Sequence, residues 1–322
     1  MTPVRTSLVP LALALPLFGC GELWRPFLDP GAGNPQGACG VAGSPACDLA
    51  TPFEIPIGTD GGIMVAVPQW FSEKTPVATD LYSVQLTAPG RAVAVGDQST
   101  VLNWDLTKTS ANWSVGASSV GSKPYTAVAT LSAADVFIAS AEGTVLHYDG
   151  ATPPVANPPC SGGSCSAPFG AIWATALDGV WVGGGGGQAY RLASLLANSW
   201  TTVPVTGGAT ETVTAIWGTA QKDVWFGGNQ ATLHHFDGTN YNKYPVPGQL
   251  TVRGIWGNSD SNVWAVGDRG LVIRWGGTLL GWVQQDTKAA NPTALALRAI
   301  TGNNQGELWA VGDSGTILYY NV

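Results

Sequence analysis

The feature that most constrains this chain is a spacing. Val93, Phe137, Trp181, Trp225, Trp264 and Trp309 sit at the centres of six short apolar runs, and neighbouring centres are 44, 44, 44, 39 and 45 residues apart. The clearest copy runs from Leu250 to Val283. It opens with Val252-Arg253-Gly254-Ile255-Trp256-Gly257 and continues through Val263-Trp264-Ala265-Val266-Gly267-Asp268 and Leu271-Val272-Ile273-Arg274-Trp275 to Gly281-Trp282-Val283. Polar or glycine turns separate these four strand candidates. A fixed period of this size, with four strands per unit, predicts propeller blades. One such sheet cannot bury both faces alone, and sheets packed face to face can.

The predicted fold is therefore all-β, a single β-propeller of six four-stranded blades over residues 61–322. A seventh, degenerate blade involving Gly62 to Val67 is the alternative. First strands align at Ala171-Ile172-Trp173, Ala215-Ile216-Trp217, Gly254-Ile255-Trp256 and Ala299-Ile300-Thr301. Third strands align at Val101 to Asp105, Val145 to Asp149, Leu233 to Asp237 and Ile317 to Asn321. The last copy stops after its third strand. The segment Gln69-Trp70-Phe71-Ser72 is expected to supply the missing fourth strand and so remove a free edge.

Composition agrees. The chain has 322 residues, of which 43 are Gly, 22 Pro and 14 Trp, and only 11% are charged. No 3.6-residue periodicity is sustained after the first 20 residues. The net charge of −7 and thinly spread basic residues exclude a nucleic-acid binder, which needs a basic face for phosphates.

The N-terminus reads as an address. Arg5 supplies a positive start, Leu8 to Phe18 an apolar run too short for a finished transmembrane helix, and Leu17-Phe18-Gly19-Cys20 the end. This end resembles the lipobox of bacterial lipoproteins, which implies lipid attachment at Cys20; Phe18 departs from the smaller residue usual there. Residues 1–19 are then a signal peptide, and residues 20–60, rich in Gly, Pro, Ala and Ser, a flexible tether. Several acyl chains would anchor the protein stably to a membrane, in the cell envelope and at the outer membrane, either periplasmic or surface-exposed. In an oxidising compartment the remaining cysteines, Cys39, Cys47, Cys160 and Cys165, fit two local disulfides; their spacing does not suit a zinc site.

The strings Val311-Gly312-Asp313-Ser314-Gly315-Thr316 and Phe236-Asp237-Gly238-Thr239-Asn240-Tyr241 resemble the Asp-box and BNR-like propellers, sialidase-type propellers among them. Repeat lipoproteins of myxobacteria look similar too. The resemblance covers about 240 residues and implies the fold more than a function, because this fold hosts many unrelated activities. In such turns a short carboxylate is expected to accept backbone N–H bonds while Gly takes positive φ. Asp97, Asp268 and Asp313 are read as caps of this kind.

Candidate chemistry is sparse. His147 and His235 share a repeat position that elsewhere holds Asn103, Arg274 and Tyr319, which reads as a solvated strand face and not as a metal site. No metal or cofactor is expected. Trp173, Trp217 and Trp256 end first strands, which line the channel in propellers, so they either stack on a ligand or fill the wedge between sheets. Arg253 and Arg298 occupy matching first-strand positions beside them. No arginine cluster or carboxylate pair stands out for glycoside hydrolysis, and the glycine run Gly183 to Gly187 lacks the following Lys-Ser/Thr of a phosphate loop. The expected function is a lipid-anchored scaffold that binds a protein or glycan. A sialidase-like hydrolase and a purely structural envelope component are the alternatives.

Overall fold

The computed structural model describes residues 75–321 except 108–112, 117–121, 149–154, 161–164, 206–209, 289 and 291–292. Cys20, Cys39, Cys47, the Gly62 to Val67 stretch, the Trp70 strand and the 1–60 leader and tether all lie outside the described residues.

The described chain is built of successive antiparallel meanders. The first sheet holds β1 (Leu81–Ala88), β2 (Arg91–Gly96), β3 (Thr100–Asp105) and β4 (Trp113–Val115). The second holds β5 (Tyr125–Ser132), β6 (Asp135–Ser140), β7 (Val145–Tyr148) and β8 (Val155–Ala156). The third holds β9 (Phe169–Ala174), β10 (Val180–Gly184), β11 (Ala189–Ser194) and β12 (Ser199–Thr202). The fourth holds β13 (Val213–Ala220), β14 (Asp223–Gly228), β15 (Leu233–Phe236) and β16 (Tyr241–Lys243). The fifth holds β17 (Val252–Ser259), β18 (Asn262–Gly267), β19 (Val272–Trp275) and β20 (Trp282–Gln284), with a four-residue helix α1 (Gly277–Leu280) between the last two. The sixth shows β21 (Leu297–Gly302), β22 (Leu308–Gly312) and β23 (Ile317–Tyr320) among the described residues. Six sheets in meander order are the blades of a six-bladed β-propeller, as the period predicts.

The repeat centres are legible because second strands are buried on both faces. Phe137, Trp181 and Trp225 are fully buried, and β2, β6, β14 and β18 are each buried along five consecutive residues. A strand between two others in its own sheet, with sheets over both faces, reads as an unbroken apolar run. At about 25 cal/mol per Å² and ~150–250 Å² of ring surface, each buried Trp contributes up to about 4–6 kcal/mol before the entropy of ordering it.

The described residues fall into two compact units. One contains Trp181–Arg191 and Thr201–Val322. Within it β17 packs beside both β13 and β21. One core joins the fourth and fifth sheets through Trp225, Leu233, Val252, Ile273 and Trp275, and another joins the fifth and sixth through Trp256, Trp264, Leu297 and Leu308. The other unit contains the described residues up to Val180 together with Leu192–Trp200. There β5 packs beside β1 and β9, and Val95, Tyr125, Ile138 and Tyr148 form the core between the first and second sheets.

Candidate ligand-binding face

The string Val-Gly-Asp-x-Gly at Val266–Gly270 and Val311–Gly315, and its variants at Val95–Ser99 and Gly227–Ala231, build the turn between second and third strands. Gln98 and Ser99, Gln230 and Ala231, Arg269 and Gly270, and Ser314 and Gly315 are consecutive pairs with positive φ, from 52° to 73°. Two left-handed residues in succession make the primed hairpin turn whose twist matches the flanking strands. The N–H of the fourth residue closes it onto the carbonyl of the first: Thr100 to Asp97 at 3.0 Å, Thr232 to Asn229 at 2.9 Å, Leu271 to Asp268 at 3.0 Å and Thr316 to Asp313 at 3.1 Å. The N–H of that first residue donates to the chain just entering the first strand. Asp97 reaches the carbonyl of Asp80 at 2.9 Å, Asn229 that of Thr212 at 3.1 Å, Asp268 that of Thr251 at 3.1 Å and Asp313 that of Ala296 at 2.9 Å.

This bond brings the second position of the first strand against the turn. Tyr82, Thr126, Thr214, Arg253 and Arg298 share that position, and their partners depend on their chemistry. Thr126 Oγ1 donates to the carbonyl of Phe169 in the next first strand at 2.6 Å, and Thr214 Oγ1 donates likewise to Val252. These threonines latch neighbouring sheets together. Tyr82 instead donates to Asp97, which raises the phenol above its ordinary range. Arg253 Nε donates to Asp268 Oδ1. Arg298 grips Asp313 in a fork, Nε to Oδ1 at 2.6 Å and Nη2 to Oδ2 at 3.1 Å.

The carboxylates of Asp268 and Asp313 therefore meet arginine, where the sequence suggested backbone N–H groups. A carboxylate that does cap a turn is that of Asp237, which accepts from the N–H of Thr239 at 2.9 Å and of Asn240 at 2.7 Å. Those bonds hold its pKa down at about 2.

The two arginine pairs act on one another. Burial would raise Asp268, but hydrogen bonds from Arg253 and Thr251, with the charges of Arg253 and Arg298, outweigh it and hold the carboxyl below its usual range. Asp313 is held down first by its hydrogen bond from Arg298 and also by the charges of Arg298 and Arg253. The four side chains remain 29–54% exposed, so they face solvent as one alternating cluster. Beside it lies an open groove of about 670 Å³ lined by Arg269, Gln284, Gln285, Asp286, Thr287 and Lys288. Thr287 Oγ1 donates to the carbonyl of Gly270 at 3.3 Å and pins this connection over the turn.

A signal for the arginine pairs is present in the sequence, because the repeats are an alignment of the chain with itself. Fifteen residues after Tyr82, Arg253 and Arg298 come Asp97, Asp268 and Asp313; fifteen after Thr126 and Thr214 come Ala141 and Asn229. The donor that needs a carboxylate has one at a fixed distance.

Trp217 and Trp256 are buried, with 8% and 2% of their surface exposed. A Cβ at Gly257 would meet Trp217 Cη2 at 2.6 Å, and one at Gly302 would meet Trp256 Cη2 at 2.8 Å. Each indole thus lies against a glycine of the next first strand, in the wedge between sheets. Trp173 is half-buried.

His147 and His235 are not on a solvated face. His235 stacks on Trp225 with centroids 4.1 Å apart, His147 lies 4.8 Å from Phe137, and only 18% and 23% of the two side chains are exposed. Each imidazole Nε2 meets an aspartate, Asp223 or Asp135, which also accepts from Thr219 or Ser132. Burial would raise Asp223, and the bonds from His235 and Thr219 outweigh it. The carboxylate stands between hydroxyl and imidazole, so the hydroxyl does not meet the imidazole as a nucleophile meets its base in a hydroxyl–imidazole–carboxylate triad. This order suits a clamp across the blade. Tyr319 and Glu307 form the same clamp in the sixth sheet at 2.6 Å. Among the described residues no group of three or more His, Cys, Asp or Glu is placed to hold a metal ion.

Cys160 and Cys165 form a disulfide. The N–H of Cys165 donates to the carbonyl of Gly143 at 2.8 Å, so the bridged loop rests on the turn of the second sheet.

No protein-family model matches the chain, and no curated protein matches it. Among solved structures the chain is similar to the extracellular domain of BT4673 from B. thetaiotaomicron, with 13% identity, a TM-score of 0.59, and 79% of this chain and 34% of that one covered. This chain spans about a third of that one's length. It is also similar to the β-propeller domain of Cps50 (Swd1) from Myceliophteria thermophila, with 13% identity, a TM-score of 0.57, and 72% of this chain and 79% of that one covered. At such identity the likeness is one of fold.

Proposed function

We propose that this chain is a lipid-anchored envelope protein whose propeller docks a protein partner on the face built by Arg253, Asp268, Arg298 and Asp313. The observation that carries the reading is the alternating cluster itself. Its four charges are mutually stabilised and still reach solvent, an arrangement that fixes partner orientation through charge complementarity. The neighbouring groove adds Arg269 and Lys288 within a chain of net charge −7. The aromatic side chains of the first strands in this unit are spent on packing, so recognition here rests on charge and hydrogen bonding. Membrane attachment is supported by the Leu17-Phe18-Gly19-Cys20 sequence.

Affinity capture with the full chain tests the docking role. A discrete protein partner should be recovered, and Arg298→Glu should weaken its capture at least tenfold. Recovery of no partner, together with cleavage of a glycoside panel, would overturn the reading in favour of a hydrolase. Membrane fractionation of Cys20→Ala tests the anchor: the chain should move to the soluble fraction.

A further inference from the structure

The third, fourth and fifth sheets pass the chain onward by the same step. The residue just past the fourth strand donates its N–H to the carbonyl that opens the third: Val203 to Ala189, Tyr244 to Leu233 and Gln285 to Val272, each at 2.9 Å. Two positions further on stand Val205, Val246 and Thr287. Val205 is fully buried, and Val246 joins the core between the fourth and fifth sheets. A threonine cannot be sunk into such a core without a partner for its hydroxyl. Thr287 is half-buried, with its Oγ1 on the carbonyl of Gly270. The groove of about 670 Å³ opens along this connection, where the fifth sheet lacks the valine of its neighbours. Its size lies within the roughly 300–1,000 Å³ of ligand sites.

The groove carries unmatched positive charge. Arg269 takes a turn position held elsewhere by the uncharged Gln98, Gln230 and Ser314. Lys288 lies on the connection itself. Both are exposed, and neither side chain has a hydrogen-bond or ion-pair partner among the described residues. Arg253 and Arg298, by contrast, are already matched by Asp268 and Asp313. Among the described lining residues the one carboxylate is Asp286, which is turned onto its own chain and accepts the N–H of Lys288 at 3.0 Å. Glu211 precedes the fourth sheet at the same end and does not line the groove. At the opposite ends of the fourth to sixth sheets the turns hold Asp237, Asp260 and Glu307 against Lys222. A negatively charged partner is therefore favoured at one end and repelled at the other.

We propose that the groove takes an acidic, extended segment of the docked protein, with two of its carboxylates on Arg269 and Lys288 and its backbone on the amide of Gln284. The inference rests on the docking reading and names the chemistry of the partner. A nucleic acid is not the occupant, because a phosphate backbone asks for a row of cations and two stand free here.

The full chain is titrated with fluorescein-labelled hexaglutamate at low ionic strength and read by anisotropy. The peptide should bind, labelled hexalysine should not, and inorganic phosphate at equal charge should fail to displace it. Arg269→Gly with Lys288→Gln should weaken binding about tenfold; glycine accepts the φ of 54° at position 269, so the fold is kept. Asp286→Asn retains an acceptor for the N–H of Lys288 and removes the carboxylate, so it should tighten binding at least threefold. Absence of binding, indifference to either variant, or displacement by phosphate at equal charge would overturn the inference. Partner capture separates it from the reading beneath it. Capture that Arg298→Glu weakens but the double variant leaves unchanged would sink the acidic segment and spare the docking face, whereas capture of no partner would remove the docking face itself.

Discussion

A Cβ on Gly267 would lie 1.9 Å from the carbonyl oxygen of Thr251. The same holds for Gly96 against Asp80 and Gly228 against Thr212, both at 2.0 Å, and for Gly312 against Ala296 at 2.2 Å. In each case the next residue donates its N–H to that carbonyl, so the glycine marks where two backbones must touch. Gly267→Ala is expected to cost about 3 kcal/mol or more, because backbone on both sides cannot yield to the added methyl. Equilibrium denaturation checks this; a loss below about 1 kcal/mol would show that the approach is dispensable.

The turns that follow offer a contrast in which backbone conformation acts alone. Gly315 has φ of 73° and open space around its Cα, so Gly315→Ala should cost only about 1 kcal/mol. Ser314, exposed with φ of 55°, bears the same strain already. Ser314→Gly should raise stability by about 0.5 kcal/mol, the relief being partly offset by the greater freedom of glycine in the unfolded chain. Denaturant midpoints of the two variants should move in opposite directions.

His234 makes stability depend on pH. Burial chiefly, with the charge of Lys243, lowers its pKa from 6.5 to about 4, against an opposing pull from Glu211. The unfolded chain then takes up a proton before the folded one, so stability is fully present above pH 6.5 and falls as pH drops from 6.5 to about 4. The loss reaches at most about 3 kcal/mol. His234→Phe should flatten that part of the profile in urea titrations at pH 7 and pH 4.5. An unchanged slope would place the sensitivity elsewhere.

The bridge between Cys160 and Cys165 closes a loop of only a few residues, which sets its contribution at roughly 2 kcal/mol. Cys160→Ser with Cys165→Ser should lower the denaturant midpoint by that amount. Partner capture should be unaffected, since this loop rests on the second sheet and not on the arginine cluster.

The blades were legible because one requirement recurs in the first five copies: a second strand with both faces covered must be apolar throughout, so Phe137, Trp181 and Trp225 announce the period. The reason for Val-Gly-Asp was not legible. Gly267 answers to Thr251, sixteen residues earlier, and only the folded register brings the two together. Arg253 and Arg298 stand out by repeat position, but a carboxylate in a turn has two good uses, backbone capping and an arginine partner, and the turn sequence alone points to the first. The fifteen-residue offset separates those uses. At His235 the variety of residues at one repeat position suggests exposure, and the fold shows a ring packed on Trp225. His, Arg and Tyr all place a polar head beyond a flat or long stem that covers the neighbouring aromatic ring, and Arg274 over Trp264 at 5.3 Å does what His235 does over Trp225.

Site-specific photo-crosslinking bears most directly on the docking face. A benzoylphenylalanine in place of Ser314 stands exposed beside Asp313, within the proposed contact and outside every packed core. Irradiation of cells that make this variant should give one discrete protein adduct, and Arg298→Glu in the same chain should abolish it. No adduct from this position, or an adduct indifferent to Arg298, would contradict a partner held by the arginine and aspartate cluster.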